Sequence, residues 1–210
     1  MAAESKTLLT GKRQILFFFH IPGDVLTIRG AMSGRVDSDV STLDPCTLGV
    51  TERSRFLELL FNNPGVARAL WRKAAAESAV LNRIVSLGRR PSEARLVHLL
   101  LEMRAQMLAR MNCPDGVIEF PMTQQELADA LGLSMVHVNR TLQKLRAAGL
   151  ILVRPRIRIL KLRELRELAD FDGGYLENLC SRPSLREGPA CRGSISIIGK
   201  TVSALRTTTV

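Results

Sequence analysis

The sequence predicts an α+β chain: a β element first, then a long helix, and last a compact helical unit closed by two short strands. Three observations carry that prediction. Five of the nine aromatic residues fall before residue 62, including the run Phe17, Phe18, Phe19, and that composition suits a pleated, half-buried surface. Apolar residues then recur at three, four and seven residues through 66–87, which is the helical period. Finally, a glycine-containing turn separates two short amphipathic segments, after which Arg and Ile alternate at period two.

Residues 13–19 follow the turn at Gly11 as a strand, and Ile21, Pro22, Gly23 and Asp24 break it. Residues 46–50 read as a second strand. After Asn63, Pro64 and Gly65, the residues Val66, Leu70, Ala74, Val80, Leu81, Ile84 and Leu87 mark one face of a long helix that Gly88 stops. A narrow apolar seam of this kind fits an internal core helix or a dimerisation helix. Lys73 and Glu77 interrupt any strict heptad, so the pattern leaves both readings open. Arg89, Arg90 and Pro91 mark a break, with Ser92 as the expected N-cap of the next helix. That helix runs to about residue 111 and is apolar nearly all round through Leu96, Val97, Leu99, Leu100, Leu101, Met103 and Met107, which predicts the central helix of a compact domain. A loop over 112–116 and a short strand over 117–120 follow.

Thr123 and Glu126 form a capping box that opens a helix over 124–131. Gly132 supplies a tight turn, and Ser134 caps a second helix reaching about residue 147. Two short helices joined by such a turn make a helix-turn-helix signature. Counting about 100° per residue from Ser134, Val138, Leu142 and Leu145 fall within about 60° of one another and form the buried stripe. Val136, Asn139, Arg140, Gln143 and Lys144 fall on the opposite face, between about 140° and 280°. Arg140 has the donors for guanine O6 and N7, Asn139 can pair with adenine, and Val136 can touch a thymine methyl. These three are the expected base-reading residues. His137, at the helix edge, and Gln143 and Lys144 are expected at phosphates. Thr123, Gln124 and Gln125 join them because a helix N-terminus favours anions. After Gly149, segments 150–153 and 157–160 form a hairpin wing in which Arg156 and Arg158 alternate with Ile157 and Ile159, with Arg154 and Arg156 placed for a nucleic-acid backbone.

The net charge of +10 has an address. From 130 to 163 there is no Asp or Glu, while Arg140, Lys144, Arg146, Arg154, Arg156, Arg158, Lys161 and Arg163 all carry positive charge. A solvated surface normally mixes both signs, so the stretch reads as a footprint for phosphate. No run approaches the roughly 18 apolar residues of a membrane span, and no secretory signal opens the chain. A cytoplasmic location without a membrane partner is expected. Cys46, Cys113, Cys180 and Cys191 are widely spaced and have only His20, His98 and His137 as imidazole companions, so they read as plain thiols and no metal site is expected. No paired carboxylates, nucleophile-base set or phosphate loop points to an enzyme.

The chain resembles the Crp/Fnr superfamily of transcription regulators over residues 11–176. The resemblance rests on Gly11 to Leu16 leading to Ile21, Pro22, Gly23 and Asp24; on the hinge Gly88, Arg89, Arg90; on the run 123–134; and on Val136, His137, Val138, Asn139, Arg140, Thr141, Leu142. That last form is similar to the FixK-like branch. The resemblance implies an effector-sensing, cyclic-nucleotide-binding-like β-roll over 1–62, a dimerisation helix over 63–88, a winged helix-turn-helix over 89–171, and a flexible tail over 172–210. It places Val136 and Arg140 at base-reading positions and Thr123, Gln124 and Ser134 at phosphates. The implied partners are double-stranded DNA, a second copy of the chain and, as an open candidate, RNA polymerase. A second reading makes the chain an effector-sensing module whose DNA contact is secondary. The sequence also departs from the pattern. The roughly 50 residues before the long helix are too few for a whole roll, so its first strands are expected to be missing through a misassigned start or a real truncation. The Gly-Glu and Arg-Ser pairs that hold cyclic nucleotides are not in 24–40, and no cofactor is expected. The remaining half-roll, with Phe17 to Phe19, is expected to be exposed and prone to aggregation.

Overall fold

The computed structural model describes residues 1–36, 38–110, 118–153 and 156–176. Its first layer is a three-stranded antiparallel sheet of order β2-β1-β3, from β1 (Ala2–Thr7), β2 (Arg13–His20) and β3 (Asp39–Thr42). β1 pairs with β2 from Ala2 opposite His20 to Thr7 opposite Arg13, with a register irregularity at Ala3 and Glu4. This sheet stands where the partial β-roll is expected. Residues 46–50 are not a strand, contrary to expectation, and the third strand is β3 instead.

Helices α1 (Ile28–Ser33) and α2 (Arg53–Asn62) precede the long α3 (Pro64–Leu87). Pro64 sits in the first turn of α3, where its missing N–H costs nothing. The Asn63 side chain accepts from the backbone N–H groups of Gly65 at 3.1 Å and Val66 at 3.2 Å. Lys73 and Glu77, which break the heptad, pair with each other at 3.1 Å, and Lys73 also reaches Asp24 at 3.3 Å, tying α3 to the loop after β2. Nearby, the His20 imidazole, with Nε2 3.4 Å from Glu4 Oε1, holds the Glu4 carboxyl down to about 2, with burial opposing that shift.

α4 (Ser92–Arg110) is the central helix the sequence predicts. Leu96, Val97, Leu100, Leu101, Met103 and Met107 are all buried along it. Around it lie α5 (Gln124–Leu131), α6 (Met135–Ala147), the wing strands β4 (Ile151–Leu152) and β5 (Arg158–Ile159), and α7 (Leu162–Leu168). The wing strands are shorter than expected. Of the expected strand at 117–120, Phe120 makes an isolated bridge to Ile157, while residue 117 lies outside the described residues.

One hydrophobic core joins the two ends of the chain. Ile15, Phe19 and Ile21 belong to the same buried cluster as Leu96, Leu100, Leu127, Leu142 and Leu165. The Gln14 amide donates to the carbonyl of Asp129 on α5 at 2.6 Å. The expectation of an exposed half-roll is therefore corrected for Ile15 and Phe19, which α4 and α5 cover; the side chains of Phe17 and Phe18 lie outside the described residues.

A polar joint fastens α3 to α4. The Arg83 guanidinium donates to His98 Nε2 and lies 5.2 Å from the centre of the Tyr175 ring. The Tyr175 hydroxyl donates to Glu102 Oε2 at 2.7 Å. Burial pushes Glu102 up to about 7, and burial together with Arg83 and Arg90 pushes His98 down to about 3. Tyr175 belongs to a 3₁₀ turn, Gly174–Leu176, whose Leu176 is buried. Of residues 172–176, expected to begin the tail, Tyr175 and Leu176 are thus packed against the helices, and 177–210 lie outside the described residues.

Candidate nucleic-acid interface

The local signals fold the site as predicted. Glu126 N–H donates to Thr123 Oγ1 at 3.2 Å and Thr123 N–H donates to Glu126 Oε2 at 2.7 Å, closing the capping box. Gly132 takes φ 63° at the turn, a left-handed conformation natural to glycine. Ser134 Oγ then accepts from His137 N–H at 3.2 Å and starts α6. Val138, Leu142 and Leu145 are buried, as their spacing predicts, and Thr141 joins them with its hydroxyl on the His137 carbonyl.

The outward side of α6 is open to solvent. Val136, Asn139, Arg140 and Gln143 line a shallow depression with Met135 and with Gln124 of α5. Asn139 Nδ2 donates to Gln124 Oε1 at 2.8 Å, so an expected base-reading residue is oriented by an expected phosphate-contacting one. Arg140 is exposed and forms no hydrogen bond or ion pair with any described residue. Its fork stays available for a planar, bidentate acceptor. Gln125 is turned to Asp129 Oδ1 at 2.7 Å. Arg156 is exposed, and Arg154 lies outside the described residues.

Two contacts to the start of α4 escaped the sequence reading. Lys144 Nζ lies 3.1 Å from Glu93 Oε2, and His137 Nε2 lies 2.6 Å from Ser92 Oγ. Ser92 is therefore the first helical residue with its hydroxyl on α6, and its expected N-cap role is corrected. Arg158 likewise pairs with Glu119 at 3.0 Å. The acid-free run in the sequence is real, yet among the described residues carboxylates from outside it pair with three of its charges, Lys144, Arg158 and Arg163, the last with Glu167 at 3.0 Å. No signal in the chain order around Lys144 or Arg158 foretells these partners, because both pairs join segments distant in sequence. Among the described residues no group of three or more His, Cys, Asp or Glu is placed to hold a metal ion, and no helix is long and apolar enough to cross a membrane.

Comparison with known proteins places this geometry. Residues 94–168 match the Crp-like helix-turn-helix domain. The chain is 32% identical over 149 residues to the nitrogen fixation regulation protein FixK of Bradyrhizobium diazoefficiens, covering 70% of this chain and 61% of that protein. It is also 32% identical to the transcriptional activatory protein AadR of Rhodopseudomonas palustris, over 71% of this chain and 62% of the relative. The chain thus spans about three fifths of the length of these curated relatives. Among solved structures, FixK2 from Bradyrhizobium japonicum superposes with a TM-score of 0.61 at 29% identity, covering 80% of this chain and 82% of that one. Residues 94–168, with α5 and α6 among them, thus form a Crp-like helix-turn-helix domain, in a chain that is similar along most of its length to FixK-type regulators.

Proposed function

We propose that the chain is a sequence-specific DNA-binding transcription regulator, not an enzyme, which sets α6 of each of two copies into the major groove of a palindromic site. The observation that carries this reading is the outward face of α6. Val136, Asn139, Arg140 and Gln143 are solvent-exposed on one side of a helix whose other side is buried. They lie where no described carboxylate pairs with Arg140. Val136, Asn139 and Arg140 read bases. Thr123, Gln124, Gln125, Ser134, His137, Gln143, Arg154 and Arg156 meet phosphates, and Lys144 joins them once it leaves Glu93. The similarity to a nitrogen fixation regulation protein and to a transcriptional activatory protein supports the same activity.

The proposed division of labour follows the chain: 1–62 as the effector-sensing part, 63–88 for dimerisation and 89–171 for DNA. A second copy of the chain is the partner of α3. Trp71, Ala74, Ser78, Leu81 and Val85 follow one another at alternating three and four residues, and all are exposed. That spacing is the seam of a two-stranded coiled coil. The protein works in the cytoplasm, with RNA polymerase as a further partner.

The test is Arg140→Ala, read by fluorescence anisotropy on a site selected from random DNA and on scrambled DNA. The selected site should lose about 1 to 3 kcal/mol of binding and relax at one base pair, with little change on scrambled DNA. Equal losses on both would reject base reading.

A further inference from the structure

Where β2, α3, α4 and α5 meet, the core is not filled. A cavity of about 70 Å³ lies between them. Its apolar walls come from Ile15 and Phe19 of β2, Ile84 and Leu87 of α3, and Leu131 of α5. One wall is polar, formed by His98 and Glu102 of α4. His98 is fully buried, and its Nδ1 has no hydrogen-bond partner among the described residues; the nearest carboxylate oxygen, Glu102 Oε2, is 3.8 Å away.

The chemistry of that wall is determined by its neighbours. Arg83 donates to His98 Nε2, so that nitrogen is an acceptor and the ring proton of a neutral imidazole sits on Nδ1. The cavity therefore presents a buried N–H donor that nothing accepts. Native interiors rarely leave such a group unsatisfied without a water or ligand to take it. A second polar group beside it, the Glu102 carboxyl, takes the Tyr175 hydroxyl on Oε2. Arg95 also lines the space, and its guanidinium donates to the Leu131 carbonyl at the end of α5. A charged carboxylate guest would have to shed its hydration on entering this buried space beside the Glu102 carboxyl, a cost that a neutral guest avoids.

We propose that this cavity is a binding site for a small neutral molecule with a hydrogen-bond acceptor, such as a primary amide or a short alcohol, whose acceptor takes the His98 Nδ1 proton and whose apolar end meets Ile15, Phe19 and Leu131. Its size sets the class. An engineered apolar cavity of about 150 Å³ holds benzene, so about half that volume suits a guest of three or four heavy atoms. The site lies away from the outward face of α6 and depends on no reading of what that face binds.

The test uses acetamide as the probe and acetate as its charged isostere, added to the full ¹⁵N-labelled chain without DNA. Acetamide should shift the amide resonances of Leu99, Ala130 and Leu131 with a midpoint on the order of 10 mM. Acetate should bind at least tenfold more weakly. Ala130→Leu, which fills the cavity from α5 without touching His98, should abolish the acetamide shifts. Ile84→Phe, which fills it from α3, should do the same should the first variant fold poorly. Absence of shifts with acetamide, equal response to acetate, or shifts that persist in a folded cavity-filling variant would each overturn the proposal. Because no DNA is present, failure here leaves the Arg140 experiment untouched, and failure of the Arg140 experiment leaves this one standing.

Discussion

Glu93 Oε2 holds Lys144 Nζ at 3.1 Å, so the first turn of α4 ties down a cation of α6. The pair is largely exposed, and such pairs contribute little to stability, about 0 to 1 kcal/mol. Its weight falls on charge instead. Glu93→Gln should release Lys144 for a phosphate, raise DNA affinity at low salt and steepen the slope of log K against log salt by about 1. Anisotropy titrations at several salt concentrations read both effects. A slope equal to that of the unmodified chain would mean that Lys144 stays off the backbone with or without Glu93.

Gly132→Ala isolates the turn. A Cβ there would meet nothing nearer than Gln14 Oε1 at 3.8 Å, so space is no obstacle. The backbone at φ 63° is the obstacle, since a left-handed residue with a Cβ costs about 1 to 2 kcal/mol. Thermal unfolding should show Tm lower by roughly 2 to 6 °C. Gly132→Asn should lose less, because Asn tolerates that region. Equal losses in the two variants would assign the effect to the Gln14 contact.

Glu102 gives the chain a pH dependence of definite sign. Burial raises its carboxyl from 4.5 to about 7. Below 4.5 both folded and unfolded chains keep the proton. As pH rises from 4.5 to about 7 the unfolded chain releases it and the folded chain does not, so stability falls across that window and is level above it. Glu102→Gln has nothing to release. The stability difference, variant minus parent, should therefore increase by up to about 3 kcal/mol between pH 4.5 and 8. His98, held near 3 mainly by burial, loses stability on acidification in both proteins and cancels in the difference. Urea melts at four pH values measure it, and a flat difference would show that Glu102 is ionised in the folded chain.

Val85 is exposed at the C-terminal end of α3 on the seam shared with Trp71 and Leu81. Val85→Glu puts like charges face to face in a paired α3. Light scattering after size exclusion should then give a mass near the 23.2 kDa of one chain, against twice that for the parent. A variant that keeps the parent mass would place the dimer contact elsewhere.

The helix-turn-helix was legible because its signals are local. Thr123, Glu126, Gly132 and Ser134 each act within four residues, and the Val138, Leu142, Leu145 stripe repeats within one helix. β1 was not legible: Ala2–Thr7 lacks β-branched and aromatic residues except its last, and it is a strand because β2 and β3 flank it. The opposite error arose at 46–50, where apolar composition suggested a strand that has no neighbour to pair with. For the candidate site, the outward residues of α6 could be read from periodicity. The partners Glu93, Ser92 and Glu119 could not, because chain order carries no information about which distant carboxylate or hydroxyl a folded surface brings to a helix.

The bond from Gln14 to Asp129 closes a loop of 115 residues. At about 5 to 20 residues per second of synthesis, β2 leaves the ribosome roughly 6 to 23 s before α5 exists to cover Ile15 and Phe19. For that interval an aromatic strand waits without its partner. The nascent chain is therefore at greatest risk of mispairing with its neighbours on the same messenger before α5 and α6 have been made, and slower translation of 21–129 lengthens that exposure.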